Sequence, residues 1–428
     1  MPTYHPPQDG AGVANGSFQQ RDFDVIKANG QVRDAQLLTG DRYALRPTLD
    51  YVSGFAETFV SPDKLLDLRR KRLDNLIDRN RRDLDRDGDG QPIVRDRVLL
   101  LDPTAPNLAA AVKMGFQVAE DQVETALGLR LVSLTAPRGQ SALAAVAALN
   151  AAVPGIGAEL DPIYEPAGEA LAPLAAAGAL AFQGATAASS PVSIVMIDGG
   201  IAEHPALKDS GIEQKGFVGK VVPTAHGTAI ASLLVGNQGP FRGAALGARL
   251  YAADIYSGNA AKGSASAMFR ALGWAASKKP TLVSISLVGA RSTAVERALA
   301  ALQKSGTKVV AAVGNDGALA PMAFPASYSG VISVTGTDRG AATLMEAGRA
   351  GHVDFAAPGA DLVAAVPGRG YMAVRGTSFA VPLVVGRIAH AGSIVRLARE
   401  ASPGKGEVGL GVLCAACGLS PSALGKAK

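Results

Sequence analysis

The chain has 428 residues, of which 48% are hydrophobic and 18% are charged, and it contains fifty glycines. This length allows two or three domains with a sizeable core, and the composition agrees with a compact fold with many tight turns. The net charge is only +5, and the basic residues are not interleaved with aromatic ones, so we exclude a nucleic-acid partner.

The first predicted region is an N-terminal extension, residues 1–97, that carries a charged helix. Residues 1–20 contain no basic start, apolar middle and small-residue cleavage site, so no signal peptide is visible. The stretch from Asp63 to Asp83 has eight basic and five acidic residues around regularly spaced leucines. That spacing predicts an amphipathic helix whose charges form a solvated face.

Three carboxylates follow at alternate positions, Asp85, Asp87 and Asp89. Their spacing resembles the opening of a calcium loop, with Asp96 at the twelfth position. However, a proline stands where such loops need an apolar strand residue, and Asp96 is shorter than the usual bidentate glutamate. We therefore predict a polar turn before a strand, with calcium at these carboxylates as the alternative. No cofactor is expected to be required.

Residues 98–164 alternate between short apolar runs and helical patterns. The predicted strands and helices are 98–102 (strand), 107–114 (helix), 116–120 and 129–134 (strands), 141–152 (helix) and 158–164 (strand). The order β-α-β-β-α-β is that of a ferredoxin-like α+β fold. Residues 165–190 are rich in Ala, Gly and Ser without a polar face, which predicts an exposed linker.

The next region, residues 191–402, begins with an apolar run that ends in an aspartate. Residues 192–197 are typical of a buried parallel strand, and Asp198 with two glycines follows at its end. A charge at the tip of a buried strand needs a partner. Open α/β sheets also place their ligands beyond this end of the strands.

Two further residues supply the chemistry that such a carboxylate serves. Among five histidines, His226 begins an apolar helix, and Ser378 lies between a Gly-Thr turn and an apolar run, residues 379–397. A serine in the first helical turn lies beside free N–H groups that stabilise an oxyanion. Alone, this pattern equally indicates a helix N-cap. Together with Asp198, the residues supply the nucleophile, base and orienting acid of a triad.

The chain order Asp198, His226, Ser378 is that of subtilisin among three unrelated triads. The surrounding motifs are VMIDGGI with HPAL, HGT, and GTSFAVP. On these motifs the sequence resembles the subtilisin-like serine proteases, or subtilases, over about residues 190–400. The resemblance implies an α/β fold: a three-layer catalytic domain with a mainly parallel sheet, preceded by a small ferredoxin-like α+β domain resembling a propeptide.

The same resemblance implies a serine endopeptidase that cleaves protein or peptide substrates through an acyl-enzyme intermediate. Ser378 would be the nucleophile, His226 the base and Asp198 the orienting carboxylate. Asn315, in a turn after an apolar strand, would be the side-chain donor to the oxyanion. No metal site is implied. The resemblance assigns substrate binding to six residues: Ser286, Leu287, Val288, Gly289, Ala312 and Gly314.

Two positions depart from the family pattern. The family usually has glycine where Val288 stands, so a branched side chain there would narrow the rim of the primary pocket. Ala229 occupies a position where many members carry a second histidine. That histidine is not one of the catalytic groups, so the substitution does not threaten activity.

Subtilases commonly carry a ferredoxin-like propeptide that assists folding and inhibits the enzyme. The resemblance therefore implies that residues 98–164 are an intramolecular partner and that the chain is an autoprocessed zymogen. A plain accessory domain is the alternative. Secreted or periplasmic localisation is expected from the family, although no signal peptide is visible. No apolar run is typical of a membrane span.

The C-terminal tail, residues 403–428, contains Cys414 and Cys417. Such a pair forms a small disulfide loop in an exported protein, and in the cytosol it is a redox pair or stays reduced. Two cysteines are too few for a structural zinc site.

Two other function classes are weaker. The first is a catalytically silent binding or regulatory protein on the same fold, which usually lacks one of the four active-site groups. The second is a dinucleotide-dependent α/β enzyme, but no Gly-x-Gly-x-x-Gly follows the strand that ends at Asp198.

Overall fold

The structure is a computed structural model. It describes residues 44–45, 58–59, 61–167, 169–173, 192–239, 241–360, 362–368, 370–415 and 417. Most of the predicted linker and the end of the predicted tail lie outside these residues. Below, residues 61–167 are called the N-terminal part and residues 192–417 the C-terminal part.

The elements up to residue 173 include a small mixed layer of strands and helices. In chain order they are β1 (Ala44–Leu45), β2 (Thr58–Phe59), α1 (Pro62–Arg79), β3 (Leu84–Arg86), β4 (Pro92–Leu101), α2 (Ala105–Lys113), β5 (Gln117–Glu124), β6 (Leu129–Thr135), α3 (Ala142–Ala152), β7 (Glu159–Pro162), β8 (Tyr164–Pro166) and β9 (Glu169–Pro173). The antiparallel sheet runs β3-β4-β6-β5, and β7 also pairs with β4. The elements from β4 to β7 therefore have the predicted β-α-β-β-α-β order.

The C-terminal part alternates strands with helices. In chain order it contains β10 (Ser193–Asp198), β11 (Glu213–Gly216), α4 (Ala225–Val235), β12 (Asn237–Gln238), β13 (Phe241–Arg242), β14 (Arg249–Asp254), α5 (Ala265–Lys278), β15 (Leu282–Ile285), β16 (Leu287–Gly289), α6 (Thr293–Lys304), β17 (Lys308–Ala312), β18 (Ile332–Thr337), β19 (Phe355–Pro358), β20 (Leu362–Val366), β21 (Gly370–Arg375), α7 (Thr377–Ala391) and α8 (Ile394–Glu400). Seven strands form one parallel sheet in the order β11-β14-β10-β15-β17-β18-β19.

Strand β10 lies near the middle of this sheet and is buried on both faces. Ile194 and Met196 pack into the core beneath α4 and α7, whereas Val195 and Ile197 pack into the core beneath α5 and α6. This alternation follows from the two-residue repeat of a strand. Helices on both faces of a parallel sheet make three layers, which confirms the predicted α/β fold class.

The small antiparallel sheet packs against the larger body in the same alternating way. Val98 and Leu100 of β4 belong to a core beneath α2 and α3. Leu99, between them, belongs to the core that also contains α5 and α6. The N-terminal part therefore lies on these two helices, at the face of the parallel sheet opposite α7.

Two regions differ from the prediction. The apolar run 379–397 forms two helices, because α7 ends at Gly392, whose φ of 69° is left-handed. The predicted tail also contributes to the core: Val412 and Leu413 are 1% exposed, and Cys414 is disulfide-bonded to Cys417.

Within the described ranges, no single helix is both long and apolar enough to cross a membrane. The pair α7 and α8 meets that test only when the two are combined, and they are bent by 117°.

Candidate active site

The first predicted site residue ends the strand β10. Asp198 is fully buried, and its Oδ1 accepts a hydrogen bond of 2.7 Å from the N–H of Gly199. His226 lies in the first turn of α4, with its Nδ1 2.9 Å from both carboxylate oxygens of Asp198. A carboxylate at Nδ1 holds the imidazole with Nε2 pointing away. That Nε2 is buried with no hydrogen-bond partner among the described residues.

The second element of the site is the start of α7. Gly376 precedes the helix with a φ of 139°, and Ser378 is its second residue. The Oγ of Ser378 donates to the carbonyl of Ser286 at 3.3 Å. The ring of Phe379, the next residue, lies 5.5 Å from that of His226. The two predicted helix starts therefore meet at the carboxyl end of β10.

Asn315 follows β17 and faces the same helix start. Its Oδ1 accepts a hydrogen bond of 2.9 Å from the N–H of Thr377, which turns the amide nitrogen toward the cleft. Nδ2 donates to the carbonyl oxygen of Ala167 at 2.5 Å, and the N–H of Ser378 donates to the same oxygen at 2.9 Å. Two neutral donors on one carbonyl oxygen match the geometry that stabilises an oxyanion.

The segment that supplies this carbonyl differs from the prediction. Residues 165–190 are predicted as an exposed linker, but Tyr164–Pro166 forms β8 and pairs antiparallel with Leu287–Gly289. The N–H of Ala167 then donates to the carbonyl of Ser286 at 3.0 Å. Composition did not reveal this strand, because its stability comes from backbone pairing with a distant partner.

The chain continues past the site in a second ladder. Strand β9 pairs antiparallel with β21, the strand that leads directly to Ser378. Backbone pairing therefore holds the chain on both sides of the peptide bond that follows Ala167. The carbonyl of Ala167 lies beside the N–H of Ser378.

A buried tyrosine anchors the segment at its N-terminal end. Tyr164 is fully buried; its hydroxyl donates to the carbonyl of Ala290 at 3.1 Å, and its N–H donates to the carbonyl of Gly263 at 2.7 Å. The hydroxyl of Tyr256 donates to the carbonyl of Tyr164 at 2.9 Å. A Cβ on Gly289 would lie 2.8 Å from the Tyr164 ring, so the glycine leaves room for it. Sequence reasoning missed Tyr164, Tyr256 and Gly263, since nothing local marks them.

The other predicted binding residues lie near the segment in different ways. Ser286 and the strand Leu287–Gly289 form the ladder itself. Ala312 is fully buried in the core at the end of β17. A Cβ on Gly314, whose φ is 91°, would lie 3.3 Å from Cγ1 of Val288. Val288 and Gly314 therefore approach each other closely, whereas Ala312 is not part of the ladder.

Two carboxylates of β7 also bind the C-terminal part. Asp161 accepts hydrogen bonds from the N–H and hydroxyl of Ser266, at 2.9 and 2.7 Å, in the first turn of α5. Glu159 accepts from the N–H groups of Thr293 and Ala294, at 2.6 and 3.0 Å, in the first turn of α6. Helix N-termini have free N–H groups and favour negative charge, so β7 caps both helices. Sequence reasoning missed these caps.

The aspartates proposed as a calcium alternative lie in the turn between β3 and β4. Asp87 accepts hydrogen bonds from the N–H groups of Asp89 and Gln91, and Asp85 forms an ion pair with Arg95 at 3.1 Å. Across the described residues, no group of three or more His, Cys, Asp or Glu side chains could hold a metal ion. Asp85 and Asp87 therefore have partners within the hairpin of β3 and β4, and calcium at this turn stays a prediction.

Comparisons with known proteins agree with this geometry. The model of the subtilase family matches residues 189–396. Subtilisin Savinase from Lederbergia lenta is 31% identical over 207 residues, which are 47% of this chain and 76% of that protein. An alkaline protease from Alkalihalobacillus alcalophilus is also 31% identical over 207 residues, which are 47% of this chain and 53% of its own length.

A solved structure extends the likeness of the fold. Fervidolysin from Fervidobacterium pennivorans, a keratinolytic enzyme related to subtilisin, superimposes with a TM-score of 0.63 at 18% identity. The match covers 77% of this chain and 61% of fervidolysin. The chain therefore spans less than two thirds of fervidolysin and of the alkaline protease.

Proposed function

The chain belongs to the subtilase family of serine-type endopeptidases, and from this we propose that it hydrolyses peptide bonds with Ser378 as nucleophile. His226 is the general base, and Asp198 fixes its tautomer. We also propose that the chain is a precursor whose first substrate is its own bond after Ala167. Protein or peptide substrates follow, once the N-terminal part has left the cleft.

The observation that carries the proposal is the position of the Ala167 carbonyl. Its oxygen accepts hydrogen bonds from the N–H of Ser378, in the first turn of α7, and from the side-chain amide of Asn315. Donors that already point at this oxygen strengthen as negative charge develops on it. A silent binding protein has no need of such donors beside a histidine oriented by a buried carboxylate.

The reaction proceeds in two steps. Oγ of Ser378 attacks the carbonyl carbon of Ala167 while Nε2 of His226 takes the hydroxyl proton. The oxyanion rests on the two donors, and the C–N bond then breaks as His226 returns the proton to the leaving amine. Water, deprotonated by the same imidazole, hydrolyses the ester between Ser378 and Ala167 and restores the serine.

Replacing the oxyanion donor tests this function. We expect Asn315→Ala to lower the first-order rate of cleavage after Ala167 by about 10²-fold, because one of two donors is lost. The cleaved bond is held within the same chain, so this rate reports the chemical step without a binding step. The measurement is intact mass against time after refolding the full-length chain from denaturant.

Asn315→Asp is the matched control for a structural role. Aspartate keeps the oxygen that accepts from the N–H of Thr377, but it provides no donor and adds a negative charge. If Asn315 only shapes the turn, Asn315→Asp will cleave near the wild-type rate, and the oxyanion role is lost. We expect it to be at least as slow as Asn315→Ala.

After cleavage, the affinity of the N-terminal part for the C-terminal part should depend on pH. Burial raises the pKa of Asp161 to about 6, although hydrogen bonds from Ser266 lower it. Because an exposed aspartate has a pKa near 4, the docked state binds the proton more tightly than the separated part. Association is therefore favoured below pH 6 and weakens as pH rises through 6, by about tenfold between pH 5 and pH 7.

The dissociation constant of the two pieces of the cleaved chain measures this effect, with Ser378 blocked by a fluorophosphonate. Asp161→Asn removes the titrating group and should flatten the pH dependence. Tighter association at pH 7 than at pH 5 in the wild type would contradict the prediction.

A further inference from the structure

An aspartate next to the oxyanion donor is paired with the N-terminal part. Asp316 directly follows Asn315, and its side chain is 16% exposed. Its Oδ2 lies 3.0 Å from Nε of Arg69, and its Oδ1 lies 2.9 Å from Nη2 of Arg72, both on α1. Among the described residues, these are the two basic side chains that form ion pairs with Asp316.

Arg72 also contacts the segment that occupies the cleft, residues 164–167. Nη2 of Arg72 lies 3.5 Å from Oε2 of Glu165, the third residue on the N-terminal side of the bond after Ala167. The side chain of Glu165 is 15% exposed. Burial raises the pKa of Glu165, Arg72 lowers it, and the nearby charge of Asp316 raises it. Nη2 of Arg72 thus pairs with the carboxylates of both Glu165 and Asp316, which would otherwise repel each other.

The proposed cleavage divides these charges between two chains. Arg69 and Arg72 lie upstream of the cut and leave with the N-terminal part, whereas Asp316 stays beside the active site. A substrate side chain at the position of Glu165 would then lie near Asp316 but no longer near Arg69 and Arg72. A carboxylate that has lost these two cations favours a positive partner and disfavours a negative one.

We propose that Asp316 determines specificity at this position. The freed enzyme prefers peptides with lysine or arginine as the third residue before the cleaved bond, and it discriminates against acidic residues there. Arg72 allows the precursor to present Glu165 at the same place. This inference rests on the proposed function, because it concerns the substrates of the same site.

Three peptides test the proposal on the chain after self-cleavage and removal of the N-terminal part. They share the sequence Tyr-X-Pro-Ala with a chromogenic leaving group, taken from residues 164–167, and X is Lys, Ala or Glu. We expect kcat/KM for X = Lys to exceed that for X = Glu by about tenfold at low salt, because two partly exposed charge interactions differ in sign. The ratio should shrink at about 0.5 M salt, since exposed charges are screened.

Variants assign the preference to this carboxylate. In Asp316→Asn the ratio of Lys to Glu should fall to about one, and in Asp316→Glu it should keep its direction. Asp209→Asn, an exposed aspartate elsewhere in the C-terminal part, should keep the wild-type ratio. Each ratio compares kcat/KM for two peptides with the same variant, so a general loss of activity leaves the ratio unchanged.

A second measurement uses the precursor. Arg72→Ala should slow self-cleavage, because Glu165 then lies near Asp316 without the cation that it contacts, and adding Glu165→Lys in that background should restore the rate. Arg70→Ala is the matched control, since Arg70 lies on the same helix and pairs with Asp67 instead. An unchanged rate in Arg72→Ala, or no restoration by Glu165→Lys, would overturn the proposal.

The two proposals fail in different ways. If the cleaved chain hydrolyses none of the peptides and a fluorophosphonate does not label Ser378, the proposed peptidase function is wrong. If the peptide with X = Ala is hydrolysed but Lys and Glu do not differ, only the specificity is wrong. The same holds if Asp316→Asn keeps the wild-type ratio.

Discussion

Ser378→Ala and His226→Ala should each lower peptide hydrolysis by about 10⁶-fold, and the double variant should be little worse than either one. The reason is that the two residues act as one unit in the proposed mechanism. Without the hydroxyl there is no nucleophile, and without the imidazole the hydroxyl keeps its proton. The donors Asn315 and the N–H of Ser378 remain in both variants, so a small residual rate is expected from them.

Because neither variant cleaves itself, an added protease that cuts within residues 174–190 first releases the N-terminal part, which is then removed, in the wild type and both variants alike. Hydrolysis of the Tyr-Ala-Pro-Ala peptide then measures this loss, and a fluorophosphonate probe reports the nucleophile directly. The probe should label Ser378 in the cleaved wild type and should label neither variant. Ser277→Ala removes an exposed hydroxyl, and His390→Gln replaces a histidine near the end of α7; both should keep wild-type labelling. Activity of Ser378→Ala within tenfold of wild type would refute the mechanism.

The contrast between what sequence predicted and what it missed has a physical basis. Asp198 lies at a strand end, and His226 and Ser378 lie at helix starts. Such ends can be recognised locally, because an apolar run meets a glycine and a polar residue there. Parallel strands bring their carboxyl ends to one edge of the sheet, so residues predicted separately lie together. Upstream, the alternation of short apolar runs with helical patterns predicted the β-α-β-β-α-β order.

The features that sequence missed depend on partners far along the chain. The hydroxyl of Tyr164 donates to Ala290, 126 positions away, and Arg72 reaches Asp316, 244 positions away. A three-residue strand such as β8 has too few residues to show a two-residue repeat. Its backbone pairs decide its structure, and composition alone suggested a linker.

The second large effect concerns where the chain cuts itself. We expect wild-type chain to yield fragments 1–167 and 168–428, whereas Ser378→Ala should remain uncut. The composition of residues 174–190, rich in Ala, Gly and Ser, predicts an exposed linker that any protease would cut. The cleft, however, already holds the carbonyl of Ala167, and the flanking strands pair with β16 and β21. A positioned bond reacts far faster than one that must find the site.

Tyr164→Ala tests whether that positioning matters. The ring is fully buried, and its loss removes on the order of 3 kcal/mol of packing, so self-cleavage should slow by about tenfold to a hundredfold. Leu143→Ala is the matched control, because Leu143 is an exposed apolar residue on α3, with 44% of its surface accessible. It should cut at the wild-type rate.

Activity toward added peptides should lag behind the cut. After cleavage, Glu159 and Asp161 still cap α6 and α5, so fragment 1–167 stays docked and its C-terminal strand still occupies β16. Peptide hydrolysis should therefore rise only as that fragment is degraded, and intact mass and peptide assays on the same samples will show the delay. A full-length chain that stays uncut yet is fully active would make residues 98–164 an ordinary accessory domain. A first cut within residues 174–190 would instead show that the bond after Ala167 is held as an inhibitor and is not the first substrate.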